Sequence, residues 1–521
     1  MSSMVDLLPL SPTWVLLGVC LLLYYLQIRR VSLMSQIRYQ RIFFVSRRYL
    51  TWPFNKFKKL GIPGPKPVLN FGNLLKYSEG SHVFDMECYK KYGKVCGIFE
   101  GRRPVLMIGD LGLIKEITVK QFHKFNNRMD LGSILESFAG SLFVIRDADW
   151  KRVRSAITPT LSSGKLKQMS MLVEKCADGL VSSLVEKQEK GVMFDMKENC
   201  LCLSSSQCNM FSFLRISSAY TMDVISSTAF GMDIDSLHNP DHPFVTHAKA
   251  IFDMNMLKVY AYILVPPPFN NIFTIGGLSF FPKFATDFFK NTIEKAIKTR
   301  EGSMDDTERI DFLQLLLKAH NKHRDGTTDE VTGGPGLSMK EIVGNSLIFW
   351  LVGYDTTANT IALTAYNLAF NQEAQDRVME EVDTVVQNRG KLDYEAGHEL
   401  RYLEMCVNET LRIYPGAKRF DRVCREDADI NGLHIPAGTN INFPVWAIHH
   451  DPELWPEPDK FRPERFSKEE VAARDPFAFL SFGAGPRGCV GMRLAMLEIK
   501  LALARALQKF RFVTCEKTEV T

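Results

Sequence analysis

The sequence predicts a mainly helical body with a small β portion, preceded by one apolar segment long enough to cross a bilayer. Three observations lead there. Leu7 to Leu26 runs for twenty residues without a charge, about the length that spans a membrane core as a helix. Helical apolar spacing recurs over residues 165–190, 283–320, 339–370, 372–389, 399–413 and 492–509. Strand signals are few: Lys94 to Glu100 with Val105 to Gly109, parted by Gly101-Arg102-Arg103-Pro104, and Ile430 to Pro444 around Pro436-Ala437-Gly438.

Taken in order, the first element reads as a membrane anchor, residues 1–26. A cleaved signal peptide would want a basic leading segment and small residues at a cleavage site. Here the leading segment carries Asp6 and the run ends in Tyr24, Tyr25 and Leu26. A basic tether, 27–60, follows with nine Lys/Arg and no acid. The whole chain's +5 therefore divides into a +9 collar and a remainder of −4. Such a collar suits anionic lipid heads and puts the rest of the chain on the cytosolic side, and no nucleic-acid partner follows from it. Gly61 to Pro67 cannot be helix and is expected to act as a stiff hinge. The body proper is assigned to residues 61–521. Within it, Asn321 to Gly336 is polar and Gly-rich, which suggests a surface connection. The eleven cysteines lack a CxxC pair, so neither a disulfide framework nor a zinc site is indicated, and a reducing compartment is.

Gly483-Ala484-Gly485-Pro486-Arg487-Gly488 matches a dinucleotide fingerprint, after a possible strand (Phe477 to Phe482) and before a helix. Three features count against that reading. Pro486 removes a backbone donor, Arg487 and Cys489 crowd the loop, and too little chain follows for the second half of such a domain. The loop makes better sense around Cys489. Glycines admit a flat macrocycle, Arg487 can neutralise a carboxylate on it, and the helix from Met492 points its positive end at a thiolate. Glu409 and Arg412 stand three apart on one helix face, and Arg465 comes from Pro463-Glu464-Arg465-Phe466. Near the middle of the apolar 342–370 helix, Val352-Gly353-Tyr354-Asp355-Thr356-Thr357 puts an acid and two hydroxyls where burial is costly, which marks a functional candidate.

The pattern Phe482-x-x-Gly485-x-Arg487-x-Cys489-x-Gly491, with Glu409-x-x-Arg412 and the Arg465 motif ahead of it, resembles the cytochrome P-450 haem-thiolate monooxygenases. The resemblance covers almost the whole body, through Ser163 to Lys167, Asp235-Ser236-Leu237 and Asp311 to Leu315, and is nearest to the microsomal family-three (subfamily 3A-like) enzymes, broad oxidisers of drugs and steroids. It implies the cytochrome P-450 fold and haem b held by Cys489 as axial iron ligand. Cofactor contacts would come from Phe482, Arg487, Trp150, Arg154, Arg128 and Arg422. Behind the haem it implies a buried triad of Glu409, Arg412 and Arg465. Asp355 and Thr356 would relay protons for oxygen activation, with the bulk of Val352 narrowing the space for substrate. Substrate walls would be Leu131 to Ile145, Ile251 to Phe281, Asn345 to Val352 and Gly416 to Phe420, with Tyr260 to Phe281 also resting on the membrane.

The implied reaction is NADPH-supported insertion of one oxygen atom from O2 into a lipophilic substrate, in the endoplasmic reticulum membrane, of the unspecific monooxygenase type. Electrons would arrive through NADPH-cytochrome reductase, with cytochrome b5 as a further candidate partner and Lys151 and Arg152 as docking cations. Three departures keep open an alternative expectation, a catalytically impaired haem-binding protein. They are added residues between Glu198 and Ser218, a lengthened 27–51 connection, and an end at Thr521 where relatives continue into a β-hairpin.

Overall fold

A computed structural model describes residues 51–130, 132–189, 213–239, 241–253, 256–265, 281–302, 311–324 and 336–514. The expected anchor, most of the added segment before Ser218, most of the Tyr260 to Phe281 stretch and most of the Gly-rich connection lie outside the described residues, as does the chain end after Thr514; the last five added residues, 213–217, open a helix. Among the described residues, no helix is long and apolar enough to cross a membrane.

The described chain is mainly helical with two small sheets. Strands β1 (Val95–Glu100) and β2 (Arg103–Ile108) pair antiparallel; β2 then pairs parallel with β6 (Asn440–Phe443), which pairs antiparallel with β3 (Phe420–Val423). The hairpin turn is tighter than the sequence suggests. Arg103 and Pro104 belong to β2, and the reversal is made by Gly101 and Arg102, with Gly101 at φ +60°. Strands β4 (Ala428–Ile430) and β5 (Leu433–Ile435) form a separate ribbon, so the segments on either side of Pro436-Ala437-Gly438 enter different sheets. Helix α1 (Ser81–Tyr92) covers the sheet, burying Phe84, Cys88 and Tyr89.

The end of the basic stretch packs on this sheet. Phe54 and Phe57 meet the Phe99 ring at 5.1 and 5.3 Å, Phe57 is buried, and Lys56 Nζ donates to Thr439 Oγ1 at 2.8 Å. The Pro-rich stretch that follows is non-helical as expected, but it is held against β1 by the Gly97 N–H donating to Pro63 O at 2.8 Å. It does not stand free as a hinge.

The helical part contains α2 (Asp147–Ile157), α3 (Ser163–Glu189), α4 (Phe213–Phe230), α5 (Pro243–Phe252), α6 (Met256–Leu264), α7 (Lys283–Gly302), α8 (Phe312–Arg324), α9 (Met339–Phe370), α10 (Gln372–Arg389), α11 (Tyr394–Glu399), α12 (Arg401–Ile413), α13 (Val445–His449) and α14 (Met492–Leu507). The periodicity read over 283–320 belongs to two helices, α7 and α8, tied together by the Arg300–Asp311 ion pair at 2.7 Å.

Helix α9 is the axis of the body. Ser338 and Glu341 close a capping box at its start, each side chain accepting the other residue's backbone N–H. Its first half (Ile342 to Tyr354) packs in one apolar core with α4, α5, α7 and α8. Trp350 stacks on Phe230 at 4.1 Å, touches Phe244 and Phe289, and donates Nε1–H to Ser226 Oγ at 3.1 Å. Its second half (Ile361 to Ala369) packs in another core with α3, α4, α10, α12 and α14. The polar centre therefore falls between two cores, where the helix has side chains open to solvent.

Asp223 on α4 holds the following loop by accepting the Ser236 N–H at 2.7 Å, and burial pushes its carboxyl up to about 6. Because the folded value lies above the unfolded one of about 3.9, its contribution to stability is complete below about pH 4 and is lost as pH rises through about 6. Denaturant midpoints should show that decline in the parent, and Asp223→Asn should remove it.

Candidate active site

Cys489 is carried by the irregular segment from Arg474 that leads into α14. The expected strand over Phe477 to Phe482 does not form. Asp475 instead caps a short 3-10 turn, and the chain closes on itself through Gly483 N–H to Leu480 O (2.8 Å), Gly488 N–H to Gly485 O (2.9 Å) and Cys489 N–H to Phe482 O (2.8 Å). Phe482 packs against the core of α3, α12 and α14. Gly485 has φ +69°, and a Cβ built there would lie 1.9 Å from Thr118 O, so the loop is pressed against a second piece of backbone. Gly485→Ala should cost the loop its position and several kcal/mol of stability. A denaturant midpoint unchanged from the parent would refute this.

Cys489 is exposed, yet enough protein surrounds its sulfur that burial is the first influence on it and pushes the thiol up. The backbone N–H groups of Gly491 and Met492, at the start of α14, donate to the sulfur and act the other way, as do Arg154 and Arg128. These dipoles and cations leave burial dominant, and a cation bound directly to the sulfur would complete the shift to thiolate.

Three predicted arginines are brought together from distant parts of the chain. Asn127 bridges to Val423 of β3, which carries the Arg128 segment to Arg422, and Arg487 Nε donates to the carbonyl of Asn126. Arg487 also donates to Leu142 O (3.4 Å) and Ile145 O (3.2 Å), and its guanidinium lies 4.4 Å from the Trp150 ring centroid on α2. Arg422 donates to Asp421 O (2.6 Å) and Ala484 O (3.2 Å). Neutral carbonyls thus do most of the holding. The Nε atoms of Arg128 and Arg422 are buried without a hydrogen-bond partner. Burial, then mutual repulsion with Arg128, pulls Arg422 down to about 10 and Arg487 to about 9. Arg154, half-buried on α2, is also lowered by burial and repelled by Arg128. A buried excess of positive charge with orphaned donors calls for anionic oxygens. A soft sulfur donor ringed by carboxylate-seeking arginines fits an iron macrocycle bearing two propionates.

The second cluster lies behind this loop. Glu409 takes a bidentate pair of bonds from Arg412 (2.8 and 2.9 Å) and further bonds from Arg465 Nε (3.1 Å) and Arg462 N–H (3.0 Å), with Glu409, Arg412 and Arg465 all buried. The three side chains thus form one buried hydrogen-bonded network.

Asp355 and Thr356 are not brought into hydrogen bonding with the Cys489 loop. Thr356 is exposed and donates Oγ1–H back to Val352 O at 2.7 Å, and Val352, 46% exposed, stands one turn away on the same face. Asp355 is half-buried beside Asn359, and burial raises its carboxyl. Gly353, between them, admits Ile225 of α4: a Cβ there would meet its Cδ1 at 2.9 Å. Arg152, expected as a docking cation, is occupied by Glu341, Asp149 and Gly336 O. Lys151 beside it is exposed.

The family model for cytochrome P450 matches residues 62–521. The chain belongs to the cytochrome P450 family. It is 38% identical to mouse (Mus musculus) cytochrome P450 3A41, over 98% of this chain and 92% of the relative. It is 38% identical to pig (Sus scrofa) cytochrome P450 3A29, over 99% and 94%, and 39% identical to rat (Rattus norvegicus) cytochrome P450 3A2, over 98% and 92%. Membership implies a haem cofactor and a monooxygenase, in agreement with the donor set. The reading as a dinucleotide loop is thereby set aside.

Proposed function

We propose that this P450 is an NADPH- and reductase-dependent haem-thiolate monooxygenase that oxidises lipophilic, steroid-like or xenobiotic molecules from the cytosolic face of the endoplasmic reticulum. The observation that carries it is the pairing of a sulfur fed by two helix N–H donors with two buried arginines, Arg422 and Arg487, and half-buried Arg128, held largely by neutral carbonyls. Cys489 is the iron ligand. Arg128, Arg422 and Arg487 would hold the propionates with Trp150 and Arg154, Phe482 would join the cofactor contacts from its place on the α3, α12 and α14 core, and Glu409, Arg412 and Arg465 hold the scaffold. When bound, the haem supplies the oxygen-activating chemistry.

The protein's part is to hold protons and shape. Thr356 Oγ1 spends its hydrogen on Val352 O and keeps its lone pairs for a donor, so it can pass a proton only by exchange. Asp355, whose carboxyl burial raises, stands one residue away as the group proposed to exchange protons with it. Val352 occupies the open face beside Thr356 and limits the size of what lies there. Residues 1–26 serve as a single-pass anchor, 27–60 as a tether whose last residues pack on the body, and 61–521 as the catalytic body. Reductase, with cytochrome b5 as a further donor, meets the thiolate side. There Lys151 is free of ion pairs with described residues, and a cavity of about 640 Å³ opens between α3, α11, α12 and α14, with Arg493 and Phe482 in its lining.

The test is a carbon-monoxide difference spectrum of the reduced protein, then turnover of a steroid panel with reductase and NADPH. A thiolate-type spectrum with O2-dependent products supports the reading. A haem-loaded protein that consumes NADPH without any oxygenated product would overturn it. In the same assay Thr356→Ala should lower product per NADPH consumed by roughly tenfold or more while NADPH oxidation continues.

A further inference from the structure

His449 closes α13 and is fully buried, in a chain whose mechanism makes no use of it. Both ring nitrogens are engaged. Nδ1 lies 3.0 Å from Arg412 O, and Nε2 accepts the Leu480 N–H at 2.9 Å. A carbonyl facing Nδ1 and an N–H facing Nε2 allow one state only, the neutral ring protonated on Nδ1. Burial favours the same state, pushing the imidazole down to about 3. Arg412 answers by donating its own guanidinium N–H to His449 O at 2.8 Å, so the two residues clasp each other by side chain and backbone. The ring also lies parallel to Phe479 at 5.5 Å.

These bonds join two parts of the molecule that sequence keeps well apart. Arg412 belongs to the Glu409–Arg465 network at the end of α12. Leu480 begins the segment that carries Cys489: its carbonyl accepts the Gly483 N–H, and Phe482 O accepts the Cys489 N–H. A second tie runs the same way, from Ser481 Oγ to Leu411 O at 2.8 Å. The Cys489 loop therefore hangs from the last turn of α12 by two hydrogen bonds. The imidazole supplies the one that meets a backbone N–H, which is expensive to leave unmade in a dry interior.

We propose that His449 is a positioning residue for the thiolate: its Nε2 fixes the start of the Cys489 loop against the buried charged network, and so sets where the sulfur stands. This rests on Cys489 being the iron ligand. His449→Gln keeps an acceptor at the reach of Nε2, whereas His449→Phe keeps the ring stacking but offers Leu480 no acceptor. Two readouts are taken on the full-length, haem-loaded variants. In the reduced carbon-monoxide spectrum, Phe should shift a several-fold larger fraction of the protein out of the thiolate-type band than Gln does. In hydrogen–deuterium exchange, the peptide spanning residues 480–489 should exchange about tenfold faster in Phe, with Gln near the parent. Equal spectra for Phe and the parent, or equal damage from Gln and Phe, would overturn the proposal. If Phe does not accumulate as folded protein, His449→Asn, too short to reach Leu480, replaces it in the same comparison with Gln. Hydrogen exchange reads loop position whatever the iron ligand is. Its agreement with the proposal alongside a spectrum indifferent to Cys489→Ser would indict the ligand assignment and leave His449's tie to the loop standing.

Discussion

Cys489→Ser is expected to abolish the thiolate-type carbon-monoxide spectrum and bring product formation to background, while the protein stays folded. The substitution changes one atom. The Cys489 N–H that closes the loop on Phe482 O is untouched, and the serine oxygen can accept the same Gly491 and Met492 N–H groups as the sulfur does. What is lost is softness and ionisation. An alcohol stays protonated where a thiol beside a metal does not, and a hard oxygen gives up little electron density to iron. Parent and variant are to be compared by reduced carbon-monoxide spectrum, denaturant midpoint and turnover with reductase. Substantial turnover in the serine variant would contradict the assignment of Cys489.

The second large effect is on stability. Glu409→Gln leaves Arg412 and Arg465, both buried to within 2% of complete, without the carboxylate that accepts three of their hydrogen bonds. Removing one partner of a buried ion network costs about 3–5 kcal/mol, because the charges left behind have no water to return to. That is a large share of a typical domain's net stability of about 5–15 kcal/mol. The denaturant midpoint should fall accordingly, with much of the protein recovered free of haem. Lys167→Ala, which breaks an ion pair to Glu395 on the surface, should leave the midpoint where it is. A Glu409→Gln variant as stable as the Lys167→Ala variant would show that the network is dispensable.

The parts of the site that could be read from sequence are those written in short segments. Phe482, Gly485, Arg487 and Cys489 lie within eight residues, and Glu409 with Arg412 within four, so spacing alone suggests a loop and a helix face. Arg128, Trp150 and Arg422 came only from resemblance to a family, because their value lies in convergence: Asn126 and Arg487 are 361 positions apart and share a hydrogen bond. His449 was missed altogether. The available signal was weak, a histidine pair after the apolar Val445 to Ile448 run, and a histidine on an apolar stretch is usually a satisfied core residue. The strand expected at Phe477 to Phe482 failed for a related reason. Its apolar spacing was real, but Asp475 caps a turn there, and His449 and Leu411 take the segment's hydrogen bonds.

By itself the sequence determined the local chemistry: a mainly helical body, a cysteine at a helix start, an acid and hydroxyls inside an apolar helix, and a segregated basic collar. Periodicity, helix-starting residues and motif spacing are properties of neighbours, and neighbours are what a sequence records. Tertiary structure decided the rest. It placed the polar centre of α9 between two apolar cores and gathered buried arginines around carbonyls. It occupied Arg152 with Glu341, and it hung the Cys489 loop from α12 through the His449 imidazole and the Ser481 hydroxyl. These outcomes turn on which buried donors and acceptors remain for one another once apolar surface has collapsed, and that pairing has no sequence period.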